Sequence, residues 1–201
     1  GYLFVYDDPH IFSSRYQGRL EYSDNDDGKR HYLDVSYPFF SIDTPYSYGV
    51  TSYSDQRRES LYYRGDVVSE FEQKTLLNRA YFGHSSQLGN SWTQRIKLGI
   101  ENREETFRET PFTRFPIAED RTLSYPYVSG QWFEDHYVKV RNFDSIYRTE
   151  DLNLGWNIHA LLGYSSDDFS DDASRTIYSL SLSKAHYSGD NQLWRFKADL
   201  D

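Results

Sequence analysis

With 201 residues, 37% of them hydrophobic and 18% aromatic, the chain has the length of one ordinary domain. Its mean hydropathy is -0.81, and no apolar stretch approaches the ~18 residues that a helical membrane span needs. The net charge of -9 without a basic stripe argues against nucleic acid as a partner, and the absence of cysteine excludes disulfides and thiolate metal sites.

A period of two runs through the chain and predicts strands with one apolar and one wet face. The strands are expected near 2–7, 11–23, 29–40, 46–54, 60–73, 75–84, 91–101, 123–133, 151–165 and 175–186, with another beginning near 192. From Phe12 to Tyr22, Phe12, Tyr16, Leu20 and Tyr22 oppose Arg15, Gln17, Arg19 and Glu21. Asn25-Asp26-Asp27-Gly28 reads as a tight hairpin in which glycine supplies the positive φ. Leu33, Val35, Tyr37 and Phe39 then oppose Arg30, Asp34 and Ser36, and Pro38 and Pro45 bracket a connection. The stretch 60–84 alternates poorly and is divided into two strands. Residues 83–91 read as a turn. Trp92, Ile96, Leu98 and Ile100 face away from Thr93, Arg95, Lys97 and Glu101, and 102–122, interrupted by Pro111 and Pro116, reads as the longest irregular connection.

Residues 151–164 carry the clearest alternation. Leu152, Leu154, Trp156, Ile158, Ala160, Leu162 and Tyr164 are apolar, while Asp151, Asn153, Gly155, Asn157, His159 and Gly163 are polar or lack a side chain. Tyr178, Leu180 and Leu182 alternate with serines, Ser188-Gly189-Asp190-Asn191 makes a second hairpin, and Trp194, Phe196, Ala198 and Leu200 oppose Arg195, Lys197 and Asp199. A soluble sandwich alternates too, but with shorter strands and an aliphatic inner face. Long strands with an aromatic face opposite full charges suit a membrane barrel with a wet lumen. The fold expected is therefore all-β, an antiparallel transmembrane β-barrel, with residues 1–201 forming part of one barrel domain and supplying about ten strands of a larger barrel. The chain opens at Gly1 without an initiator methionine and stops at Asp201 in or just after a strand, so it reads as an excerpt of a larger barrel. The alternation predicts one lipid-facing surface bearing Leu154, Trp156, Ile158, Tyr178, Leu180, Trp194 and Phe196. Arg95, Lys97, Asn157, Arg195 and Lys197 belong on the inner face.

The segment Tyr137-Val138-Lys139-Val140-Arg141-Asn142-Phe143, continuing through Arg148-Thr149-Glu150-Asp151 into Leu152-Asn153-Leu154-Gly155, is the most distinctive. With the long aromatic strands around it, this stretch over roughly 124–165 resembles barrels of the bacterial surface antigen superfamily, the BamA/TamA type and its two-partner secretion relatives. That resemblance implies a Gram-negative outer-membrane barrel that inserts or translocates polypeptides. Outer-membrane lipid and client polypeptides would be its partners, and no cofactor is implied. The superfamily carries a Val/Ile-Arg-Gly-Phe/Tyr motif whose arginine docks in the lumen on wall carboxylates. Val140, Arg141, Asn142 and Phe143 match it, with asparagine in place of glycine. The alternative for Arg141 is a strand-end charge pairing with Asp144, Glu150 or Asp151.

Other chemistry finds little support. Six histidines (His10, His31, His84, His136, His159 and His186) and many serines occur without a Gly-x-Ser-x-Gly elbow, so the chain reads as no enzyme. Asp24, Asp26 and Asp27, and Asp167, Asp168, Asp171 and Asp172, offer hard oxygen ligands but lack EF-hand spacing and read as solvated turns. Arg64-Gly65-Asp66 carries no weight as an adhesion tripeptide. The rival functions are a channel or porin-type barrel and a soluble aromatic-rich β domain that binds carbohydrate or protein.

Overall fold

The computed structural model describes residues 1–201 except 142–146, 148, 169, 171–172 and 189–191, with Arg141 described by its backbone alone. It is all-β, with strands β1 (Tyr2–Asp8), β2 (Gln17–Asn25), β3 (Gly28–Tyr37), β4 (Tyr46–Tyr63), β5 (Asp66–Leu88), β6 (Trp92–Glu109), β7 (Arg121–Glu134), β8 (Tyr137–Arg141), β9 (Thr149–Asn153), β10 (Trp156–Ser165), β11 (Arg175–Ser188) and β12 (Gln192–Leu200). Ten strands form one antiparallel sheet in the order β1-β2-β3-β4-β5-β6-β7-β10-β11-β12, while β8 and β9 pair only with each other. The sheet is open, with β1 and β12 as its edges.

Cross-strand partners share a face, so the register sorts the side chains into two sets. One set contains the row Leu162–Val128–Leu98–Phe82–Tyr48 and the row Pro126–Ile100–Ala80–Val50–Val35. The other contains Tyr125–Glu101–Arg79–Thr51–Asp34 and, further along, His159–Gln131–Arg95–Ser85. Burial is inverted relative to an ordinary globular domain. Leu98, Ile100, Phe82 and Leu162 are 62%, 63%, 53% and 55% exposed. Ser47, Thr93, Ser129 and Glu101, all on the polar face, are buried. The sheet curves around that polar face, where a trough of about 590 Å³ runs from β3 to β10.

The faces follow the alternation. Trp156, Ile158, Tyr178, Leu180, Trp194 and Phe196 lie together on the apolar side, opposite Arg95, Lys97, Asn157, Arg195 and Lys197. Leu154 departs from this: it is buried in the break between β9 and β10 rather than on the apolar face. The expected strand 151–165 divides there because the Asn153 amide takes over the local backbone bonding. Asn153 Oδ1 accepts the Gly155 N–H at 2.8 Å, and Asn153 Nδ2 donates to the Glu134 carbonyl at 2.9 Å. The side-chain amide thus offers the backbone an alternative to the ladder. A Cβ on Gly155 would stand 2.7 Å from the Glu134 Cβ, so only glycine passes this close.

Other boundaries shift for local reasons. Residues 11–13 form a 3-10 turn with Phe12 at φ 51, so β2 begins only at Gln17 and Phe12 is almost fully exposed. Pro38 ends the β3 ladder, and Phe39 leaves the alternating set to pack on the polar face. The Asn25–Gly28 hairpin closes around Asp26-Asp27, with Gly28 paired to Asn25 and not among the positive-φ residues. Residues 60–84 hold a turn at Arg64-Gly65 instead of a division near 74. Both turn residues have positive φ (52° and 95°), the type I′ geometry that two-residue hairpins favour. A bulge at Leu61/Tyr62 upsets the period just before it. The turn expected over 83–91 shortens to the residues between β5 and β6.

Likewise β6 continues to Glu109 through residues expected to be irregular, because Arg103 and Arg121 both pair with Glu105 and the ladder persists with both faces wet. The remaining connection, 110–120, is tied down. Thr110 Oγ1 donates to the Glu70 carbonyl at 3.1 Å, and Arg114 N–H donates to Ser69 Oγ at 2.9 Å. Asp120 Oδ1 accepts the Phe107 N–H at 2.7 Å, and Asp120 Oδ2 takes Arg108 at 2.9 Å.

The Phe107 N–H, and then Arg108, hold the Asp120 carboxyl below its ordinary value. A lowered folded value means that the anchor stabilises the loop above the unfolded value near ~4 and is lost as the pH falls through the folded value. The Phe107 amide is therefore expected to lose hydrogen-exchange protection on acidification below about pH 4. Asp120→Asn should flatten that dependence, and an unchanged profile in the variant would remove Asp120 as its cause.

Candidate functional site: the polar trough

The centre of the concave face is an ion pair. Arg79 of β5 and Glu101 of β6 are register partners, and Arg79 Nε donates to Glu101 Oε2 at 2.8 Å. The Arg79 Nη2 reaches the same oxygen. Glu101 is buried while Arg79 is half-exposed, so the carboxylate carries most of the desolvation and two charge-assisted bonds offset it. Tyr125 and Tyr127 flank the pair from β7 and Tyr81 from β5. Their rings lie over glycines on neighbouring strands: a Cβ on Gly163 would come within 2.6 Å of the Tyr125 ring, and one on Gly49 within 3.0 Å of Tyr81. Rings laid over glycines fill the space between strands and let the sheet curve tightly.

Towards the β3–β4 connection the face becomes cationic. The Arg95 guanidinium carbon stands 4.8 Å from the ring centroids of both Phe39 and Phe133, and its Nη2 donates to the Ser41 carbonyl at 3.2 Å. Lys97 Nζ is 4.4 Å from the Tyr81 centroid and 5.9 Å from that of Phe39. The connection 38–45 is held there by Ser41 N–H on Thr44 Oγ1 (3.1 Å) and by Ser85 N–H on the Pro45 carbonyl (2.8 Å). Towards the opposite end, Asp55 lies 3.5 Å from both Arg30 and Arg57, and Glu21 lies 3.2 Å from Arg19.

The motif singled out in the sequence lies elsewhere. Val140 is buried in β8 opposite Glu150, and Arg141 pairs through its backbone with Thr149. Glu150 is half-buried, and Asp151 is exposed opposite Lys139. Asn142, Phe143 and Asp144 lie outside the described residues. This hairpin connects β7 to β10 and is not part of the ten-stranded sheet. His159 is exposed on the polar face, in the row of Gln131 and Arg95. Among the described residues no three His, Asp or Glu side chains gather as a metal site. Arg79 was not legible as a site residue because the poor alternation of 60–84 concealed its face. Its parity with Glu101 across the β5–β6 hairpin is the signal that could have found it.

Comparison with protein-family models, with curated proteins and with solved structures found no match.

A double-mutant cycle with Arg79→Met and Glu101→Gln should give a coupling of about 1–2 kcal/mol, above the ~0–1 typical of exposed pairs, because Glu101 is buried and takes two N–H groups. Denaturant unfolding of the four proteins measures it, and a coupling indistinguishable from zero would make the pair a bystander.

Proposed function

We propose that this chain is part of the wall of an outer-membrane β-barrel, with its apolar face against lipid and its trough against an aqueous lumen. The observation that carries this reading is the inverted burial together with the limited height of the apolar face. On β6 the residues of that face run Trp92, Gln94, Ile96, Leu98 and Ile100 and then change to Asn102, Glu104, Thr106 and Arg108. From Trp92 to Ile100 is ~27 Å along a strand, or roughly 21 Å at a 40° tilt, near the ~25 Å apolar band of such barrels. The register row Ser52–Asn78–Asn102–Ser124 marks one rim, with Ser52 Oγ on Asn78 Oδ1 at 2.8 Å and Ser124 Oγ on Asn102 Oδ1 at 3.0 Å. At the other rim Trp132 Nε1 donates to Gln94 Oε1 (3.0 Å) and Lys184 lies 4.6 Å over Trp156. Aromatic groups with a polar tip suit a membrane interface.

The activity follows from the resemblance alone: insertion or translocation of polypeptides at the outer membrane of a Gram-negative bacterium. A channel or porin-type barrel is the second reading, favoured by charged side chains gathered on a wet wall. A soluble β domain would have to keep this apolar face in water, which monomeric proteins avoid at such size.

The full-length protein is expected in the outer-membrane fraction, released by detergent. Leu98→Arg, at mid-band, should cost roughly 2–4 kcal/mol of stability in lipid, and Asn102→Arg, at the rim, about 0–1. Equal costs, or a protein found in the soluble fraction, would end the barrel reading. The polypeptide-handling activity is tested separately at Arg141. Arg141→Lys keeps the charge but loses the guanidinium fork, so a lumen latch would show as impaired client insertion or secretion with the protein still in the membrane. A strand-end charge leaves both the Lys and Ala variants nearly silent, the outcome expected here. If the Lys and Ala variants both work normally, Arg141 is no lumen latch.

A further inference from the structure

The concave face pairs its charges with care, and one place breaks the pattern. The chain has 31 acidic against 22 basic residues. Arg19, Arg30, Arg57, Arg79, Arg103 and Arg121, all on the polar face, each have a carboxylate within 4.0 Å. Arg95 and Lys97, neighbours on the same face of β6, have none among the described residues. Their row partners are Ser85 and Gln131 for Arg95, and Gly83 and Ser129 for Lys97.

Both cations are half-buried, and the Arg95 Nε is shielded from solvent without a hydrogen-bond partner. The rings of Phe39 and Phe133 remove water from the guanidinium, and cation–π attraction offsets only part of that loss. An unpaired N–H on a partly desolvated guanidinium is costly unless an acceptor fills the position. The acceptor that suits a planar fork is an oxyanion. Lys97 stands two residues along the strand, ~6.8 Å away at the backbone, a span that the oxygens of one oxyanion bridge between two flexible cations. The trough also presents Gln131, His159 and Tyr81 as polar neighbours.

We infer that Arg95 and Lys97 form an oxyanion-binding site on the concave face, taking the carboxylate or phosphate group of a ligand in the trough. The site requires the curved polar face and not the membrane, so it stands apart from the proposed barrel and from polypeptide handling.

Calorimetric titration of the monodisperse full-length protein, in detergent or in buffer, with inorganic phosphate and separately with acetate at constant ionic strength tests it. Saturable binding of phosphate, acetate or both is expected, and the tighter anion identifies the source. Arg95→Gln/Lys97→Gln should weaken binding by about tenfold or more, the scale of losing a charged hydrogen bond. Lys197→Gln, on the same face but paired with Asp199 at 3.0 Å, should leave it unchanged. Should the double variant fail to fold, Lys97→Met, which removes an ammonium set against the Tyr81 and Phe39 rings, is expected to weaken binding severalfold. Absence of saturable binding by the unmodified protein, or equal affinity in the Arg95 and Lys97 variants, overturns the inference. Neither result depends on where the protein fractionates, so failure here is distinguishable from failure of the barrel reading.

Discussion

Everything in this sheet hangs on cross-strand register. Within the ten-stranded ladder neighbouring strands exchange backbone hydrogen bonds, and the same pairing decides which side chains share a face. A slip of one residue between β5 and β6 would set Phe82 beside Lys97 or Gly99 instead of Leu98 and carry Arg79 away from Glu101. It would mix the two faces at once. The central hairpins hold the register with tight turns: Arg64-Gly65 adopts positive φ at both residues, the type I′ geometry, and Leu88 closes on Trp92 across Gly89 at φ 69.

Holding the register also explains why the strands outlast the apolar band. β4, β5 and β6 continue past the Ser52–Asn78–Asn102–Ser124 row with no apolar face left to bury. There the strands are supported by charge pairs, Arg57 with Glu59 and Arg103 with Glu105 along a strand and Arg121 with Glu105 across to the next, and by threonine contacts from 110–120 onto the end of β5. Each contact is modest on an exposed surface. They act on backbone already ordered by the hairpin, so they need not offset the full entropy of chain ordering.

Period two made both faces readable wherever one of them was apolar, and Trp156, Ile158, Leu98 and Lys97 stand where that period puts them. The signal failed where chemistry other than burial fixed the strand. Residues 102–109 carry charge on both faces, so only their pairing with β5 makes them a strand. Residues 151–164 depart in the opposite sense, because alternation broken only at Leu161 conceals a side-chain amide that ends one strand and a glycine that starts the next. The Arg79–Glu101 pair is not legible locally because its partners stand 22 residues apart and the poor alternation of 60–84 hides the face of Arg79. The Phe39 side chain was assigned to the wrong face because alternation cannot register that Pro38 ends the ladder just before it.

Phe39 also shows how the trough is organised. Once freed from β3, its ring moves onto the wet face and lies against two cations rather than remaining on the apolar surface. A neutral polar residue there would leave the Arg95 guanidinium better hydrated, whereas a ring removes water and returns only a quadrupole. The Ser41 carbonyl, brought in by the same connection, satisfies Nη2 and leaves Nε without an acceptor. Elsewhere on this face arginines are matched by Glu21, Asp55, Glu101 and Glu105. Phe39 and Ser41 therefore make Arg95 a directed donor in a partly dry setting, which strengthens any bond it forms to an anion. The proline that ends one strand thus shapes the most electropositive part of the trough.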